Sequence, residues 1–127
     1  MAKGKILVID DDRIILELLN LALGKADYEV VEAQDGEAGI NEFKEKKPDL
    51  VIADIAMPGV DGYQVVTRIR EMDGKATHTP IIILTAHEQS VMRDYAQELG
   101  VDLYLTKPVT PRQLIDKIEE LMKAAAS

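Results

Sequence analysis

Five short, β-branched apolar runs alternating with five stretches of helical period predict an α/β chain built on a doubly wound, five-stranded parallel sheet with five helices. Two observations carry this prediction. Strand and helix alternate strictly from Lys5 to Met122. In addition, Ile6-Leu7-Val8-Ile9, Leu50-Val51-Ile52-Ala53 and Ile81-Ile82-Ile83-Leu84 are apolar throughout, as parallel strands covered on both faces must be. Right-handed crossovers then place helices on both faces, in strand order 2-1-3-4-5. Residues 1–127 read as one domain with its core from about residue 5 to residue 122.

The elements follow in order. After the first strand, Asp12 caps a helix whose apolar stripe is read as Ile14, Ile15, Leu18, Leu19 and Ala22. The second strand, Glu29-Val30-Val31-Glu32, is bounded by charges and belongs near a sheet edge. Asp35-Gly36 opens the helix that carries Ala38 and Phe43, and Asp61-Gly62-Tyr63-Gln64 opens the third with a capping box. The fourth helix, Ser90 to Leu99, has the weakest pattern: Val91, Met92, Tyr95 and Leu99 with charges between them. It is the segment expected to move most easily. Leu103-Tyr104-Leu105 is the last strand. Thr110-Pro111-Arg112-Gln113 then starts a helix with Leu114, Ile115, Ile118, Leu121 and Met122 on one face.

Composition removes several function classes. Lys plus Arg number 15 against 23 Asp plus Glu, a formal charge of −8, which disfavours direct binding to a nucleic-acid backbone. The absence of Cys excludes disulfides and thiol chemistry. No apolar run is long enough to span a membrane, and no signal-peptide core follows Met1-Ala2-Lys3-Gly4, so a cytoplasmic location is expected.

In an open parallel sheet the site lies beyond the carboxyl ends of the strands. Strand 1 runs into Asp10-Asp11-Asp12, strand 3 into Asp54, strand 4 into Thr85-Ala86 and strand 5 into Thr106-Lys107-Pro108. Strand 2 meets only a turn, Ala33-Gln34-Asp35-Gly36. Clustered carboxylates repel one another unless a cation resolves the conflict, and an oxygen-rich site suits Mg²⁺, with Mn²⁺ able to substitute. With the Lys107 ammonium and the Thr85 hydroxyl added, the groups form a receptor for a phosphoryl group. There is no glycine-rich nucleotide loop, His78 and His87 are not spaced as a metal pair, and no serine stands at a strand end. Asp54, isolated at a strand terminus, is the acceptor to be expected.

Four separated motifs carry a family resemblance: Ile6-Leu7-Val8-Ile9-Asp10-Asp11-Asp12, Asp54 to Gly62, Leu84-Thr85-Ala86 and Lys107-Pro108. From about Lys5 to Met122 the chain resembles the receiver domain of two-component response regulators, chemotaxis-regulator-like and flavodoxin-like in fold. The resemblance implies that Asp54 takes a phosphoryl group from a phosphohistidine on a sensor histidine kinase or a histidine phosphotransfer protein. It implies Mg²⁺ held by Asp11, Asp54 and the Ala56 backbone carbonyl, with Asp10 acting largely through water. Lys107 would pair with Asp54 and then with the phosphoryl group, across a Lys107-Pro108 bond that is often cis in the family. Thr85 and Tyr104 would act as the switch, Tyr104 moving from an outward to an inward rotamer. The fourth helix, fifth strand and fifth helix would then engage an output partner, or a second copy of a chain that is otherwise monomeric. Ala56 and His87 stand where the family varies and phosphoryl lifetimes differ.

Other residues take simpler roles. Asp61 is a helix cap, Met57 packs beside the site and His78 is read as a solvated loop residue. The chemistry is self-directed, acceptance followed by slow hydrolysis, and not that of a turnover enzyme. Two alternatives are an unphosphorylated interaction scaffold and a small aspartyl-phosphate phosphatase. The phosphatase would use Asp12 as general acid, two residues past Asp10.

Overall fold

The computed structural model describes residues 2–75, 77–86 and 90–126, with the side chains of all of them except Ser90, Val91 and Ala126. Its elements run β1 (Lys5–Ile9), α1 (Arg13–Lys25), β2 (Glu29–Ala33), α2 (Gly36–Lys46), β3 (Leu50–Ala53), α3 (Gly62–Asp73), β4 (Ile81–Thr85), α4 (Ser90–Glu98), β5 (Leu103–Thr106) and α5 (Pro111–Ala126). The sheet order is β2-β1-β3-β4-β5 and each pairing is parallel, with β2 at an edge as its glutamates require.

Alternate residues of each central strand feed opposite cores, which is the period-two rule applied to a sheet covered on both sides. Leu7 and Ile9 of β1 join Val51, Ile81 and Ile83 under α2, α3 and α4, together with Phe43, Val65, Val66, Ile69 and Ala96. Ile6 and Val8 join Leu50, Ile52, Ile82 and Leu84 under α1 and α5, with Leu16, Leu19, Leu23, Leu114 and Ile118. The caps form where the side-chain chemistry places them. Asp12 accepts from the Ile14 amide, Asp35 from Ala38, and Asp61 shares a full capping box with Gln64. At α5 the Gln113 side chain accepts from the Thr110 amide while Thr110 Oγ1 accepts from the Gln113 amide.

Two stripes differ from expectation. In α1 the buried face is Leu16, Leu19 and Leu23, whereas Ile14, Leu18 and Leu21 are 67%, 57% and 59% exposed. The helix is apolar on more than one face, so its periodicity could not fix which face the sheet would cover. In α4 Met92 and Leu99 pack against the core as expected, but the fully buried residue is Ala96, and Tyr95 is exposed, its ring edge against Tyr63. The expected burial of Val91 lies outside the described side chains.

Candidate functional site

Register assembles the site. Ile9 pairs with Ala53 and Ala53 with Ile83, so Asp10 and Asp54 leave adjacent strands at the same level. The Asp54 amide donates to the Ile9 carbonyl at 3.0 Å, extending the ladder one residue. Thr85 pairs with Thr106, and the Lys107 amide donates to the Thr85 carbonyl at 2.7 Å, which brings Lys107 back over the same edge. The Lys107-Pro108 bond is cis.

The Lys107 ammonium bridges two carboxylates, at 2.9 Å to Asp10 Oδ2 and 3.2 Å to Asp54 Oδ2. The side chains are 19%, 4% and 10% exposed in that order, so the charges meet in a poorly hydrated cleft. Asp10 Oδ1 accepts from the Asp12 amide at 2.9 Å, and Asp54 Oδ1 from the Ala56 amide at 3.3 Å. Burial pushes the Asp10 carboxyl above its ordinary value, countered only in part by the Asp12 amide and Lys107, and reinforced by the Asp54 charge. Burial would pull Lys107 down, yet the hydrogen bond and charge of Asp10, followed by those of Asp54, leave it raised. The ammonium is therefore charged at neutral pH.

Carboxylate oxygens of Asp10, Asp11 and Asp54 lie within 4.8 Å of one another. Lys107 neutralises one of the three charges, and the remaining excess of negative charge among hard oxygen donors fits a divalent cation. Asp12 is engaged as the α1 cap, which leaves its carboxylate turned to the helix instead of serving as a general acid.

Thr85 is fully buried at the end of β4 and Met57 is buried beside the site. Tyr104 is buried, with the Arg93 guanidinium 5.2 Å from its ring centre. His87 lies outside the described residues. His78 is not merely solvated: its Nε2 is 2.7 Å from Asp102 Oδ1. Sequence reasoning also missed Arg70, whose partners Thr79, Gly100 and Asp102 come from other parts of the chain, and the exposed apolar face of α1. An excess of apolar residues in α1, too many for one face, was the available signal for the second. Among the described residues, no helix is long and apolar enough to cross a membrane.

The family model for the response regulator receiver domain matches residues 6–119. A probable transcriptional regulator, ycf27, of Porphyridium aerugineum is 40% identical over 123 residues, covering 97% of this chain and 50% of that protein. The transcriptional regulatory protein ResD of Bacillus subtilis is 38% identical over 122 residues, covering 96% and 49%. The chain thus spans about half the length of the curated relatives it matches. A CheY-like response regulator receiver domain protein from Methanospirillum hungatei superposes with a TM-score of 0.90 at 26% identity, covering 96% of this chain and 95% of that one. Relatives named as transcriptional regulators leave the exclusion of nucleic acid, drawn from net charge alone, without support.

Proposed function

The chain belongs to the response regulator receiver domain family, and on that premise we propose that Asp54 is the residue that accepts the phosphoryl group. The observation that carries this is the Asp54 carboxylate, set within 4.8 Å of two others and held 3.2 Å from the Lys107 ammonium. A carboxylate oxygen of Asp54 attacks phosphorus in line, the bond to a histidine nitrogen breaks, and the imidazole departs with the electron pair. A Mg²⁺ ion held by Asp10, Asp11, Asp54 and the Ala56 carbonyl, with Mn²⁺ as a substitute, supplies neutralisation of the phosphoryl oxygens. Lys107 aligns the nucleophile before transfer and pairs with a phosphoryl oxygen afterwards. Thr85 donates its hydroxyl to the same group, and Tyr104 is the second member of the switch. Slow hydrolysis resets the domain, without turnover of an external substrate.

The donor is a sensor histidine kinase or a histidine phosphotransfer protein, placing the domain in the cytoplasm. Its docking face is α1: exposed Leu18 and Leu21, with Ile15 and Ala22, line an open apolar groove of about 750 Å³ that reaches Lys107 and Pro108. Such a surface suits the apolar stripe of a helix presenting a phosphohistidine. The output is control of transcription, as the names of the longer relatives suggest, through the α4-β5-α5 face acting on a partner or a second copy.

Intact-mass spectrometry after incubation with acetyl phosphate and Mg²⁺ tests the assignment. One phosphoryl group is expected on the wild type and none on Asp54→Asn or in chelator. Equal incorporation into Asp54→Asn overturns it.

A further inference from the structure

At the sheet edge opposite the acceptor site, Arg70 of α3 gathers two other segments, one at Thr79 and one from Gly100 to Asp102. Its Nε and Nη2 donate to the Gly100 carbonyl at 3.1 and 2.6 Å, and its Nη1 donates to the Thr79 carbonyl at 2.7 Å. Asp73 and Asp102 each accept from it at 3.0 Å, and the side chain is only 18% exposed. Gly100 ends α4 in a Schellman arrangement: its amide donates to Gln97 and that of Val101 to Ala96, both at 3.0 Å, at a φ of 94°. A Cβ at Gly100 would meet Arg70 Nε at 3.0 Å, so glycine serves both the backbone conformation and the approach of the guanidinium. The charged fork satisfies the helix terminus and complements its dipole.

Towards the acceptor end, α4 is attached to the same helix more weakly. The Tyr63 hydroxyl donates to the Met92 carbonyl at 3.3 Å, and its ring meets the exposed Tyr95 edge-on, centroids 4.9 Å apart. Tyr63 directly follows Gly62, which lies against the backbone of Asp54: a Cβ there would fall 2.3 Å from the Asp54 carbonyl oxygen. One helix therefore links the acceptor's own backbone to two unequal attachments on α4.

We propose that α4, seated on the sheet through Ala96, acts as a lever tied to α3 at two points, hinged at Gly100 by Arg70 and latched at Met92 by Tyr63, and that phosphorylation releases the latch while the hinge holds. This rests on Asp54 as the acceptor and adds how its modification is transmitted. Tyr63 and Arg70 are positioning residues; neither touches the reacting atoms. The asymmetry is one of bond strength. A single neutral hydrogen bond changes an opening equilibrium by about fivefold, whereas the hinge combines charge-assisted and bidentate bonds.

Hydrogen exchange on the full chain, with intact mass read on the same samples, tests the lever. Phosphorylation is expected to speed exchange over residues 90–95 and leave 98–103 unchanged. Tyr63→Phe, which removes only the hydroxyl, should raise exchange over 90–95 about fivefold without any phosphodonor, while phosphoryl incorporation proceeds normally. Arg70→Lys should speed exchange over 98–103 in both states and erase the contrast between the ends. A chain shown by mass to be phosphorylated, yet loosened equally at both ends, overturns the proposal. So does a Tyr63→Phe exchange pattern identical to wild type. If no phosphoryl group is incorporated, the Asp54 assignment fails, and the Tyr63→Phe and Arg70→Lys patterns in the unmodified chain still decide the lever.

Discussion

Lys107 Nζ stands closer to Asp10 than to the proposed acceptor, 2.9 Å from Asp10 Oδ2 against 3.2 Å from Asp54 Oδ2. The lysine is thus shared between a carboxylate of the candidate cation cluster and the proposed acceptor. Its release from Asp10 when a divalent cation binds would leave it available to Asp54 and its adduct. Function and stability are in tension here, because a buried carboxylate suited to a cation disfavours the cation-free fold.

Asp10→Asn is expected to raise the thermal midpoint in metal-free buffer at neutral pH. The Asp10 carboxyl is raised above 3.8 first by burial, so the folded chain binds that proton more tightly than the unfolded one. The cost of the ionised form is present above the folded value and recovered as pH falls through it. Each 1 kcal/mol recovered moves the midpoint by about 3–6 °C for a domain of this size. Mg²⁺ at ten times its Kd should stabilise the wild type by about 1.4 kcal/mol and the variant far less. A lower midpoint for Asp10→Asn would show that the pair with Lys107 outweighs the burial cost.

Lys107→Gln tests the cation from the other side. The Lys107 value is raised above 10.5 in the fold, so its stabilising contribution is complete below that pH and lost as pH rises through the folded value. Denaturant unfolding from pH 7 to 11 should show the wild type losing its advantage over the variant only in the alkaline limb. Labelling by acetyl phosphate should slow by at least about tenfold, the effect expected on removing a group that stabilises developing charge. Unchanged labelling would remove Lys107 from the chemistry.

A pair of glycines separates close approach from helix propensity. Gly62→Ala places a Cβ 2.3 Å from the Asp54 carbonyl oxygen and 2.8 Å from Ile55 Cα, contacts that only backbone movement relieves. A loss of about 1–3 kcal/mol in unfolding free energy is expected, with slower labelling of Asp54. Gly24→Ala meets nothing within 4 Å, lies in α1 and should stabilise by about 0.5 kcal/mol. Urea midpoints of the two variants would move in opposite directions.

Leu18→Asp on the exposed face of α1 should leave the unfolding free energy within about 0.5 kcal/mol of wild type. Transfer from a phosphohistidine protein should nevertheless weaken severalfold, while labelling by acetyl phosphate does not change. Loss of stability instead would mean that Leu18 belongs to the core and not to a docking face.

Much of this molecule was legible in its residues because the relevant forces act locally. Strand order followed from alternation and crossover handedness, and the caps at Asp12, Asp35, Asp61 and Thr110 followed from side chains bonding amides two or three residues away. The site was readable for a related reason. Asp10, Asp54, Thr85 and Lys107 each sit at or just past a strand end, and parallel register brings such positions together.

What escaped the sequence depended on choices between equivalent local solutions or on partners distant in the chain. Apolar residues wrap α1 so broadly that only docking onto Ile6, Val8 and Leu50 decided that Leu16, Leu19 and Leu23 face inward and Leu18 outward. On α4 the helix's seating on the sheet turned Ala96 inward and left Tyr95 exposed. Arg70 reads as an ordinary helix-end arginine until folding brings Gly100 and Asp102, 30 and 32 residues away, around its guanidinium. The sequence by itself determined the elements, their order and which polar side chains meet at the sheet edge, since propensity, capping and strand alternation operate over a few residues. Tertiary structure alone decided which helix faces are free and how α4 is held, since those depend on close packing and on hydrogen bonds spanning the chain.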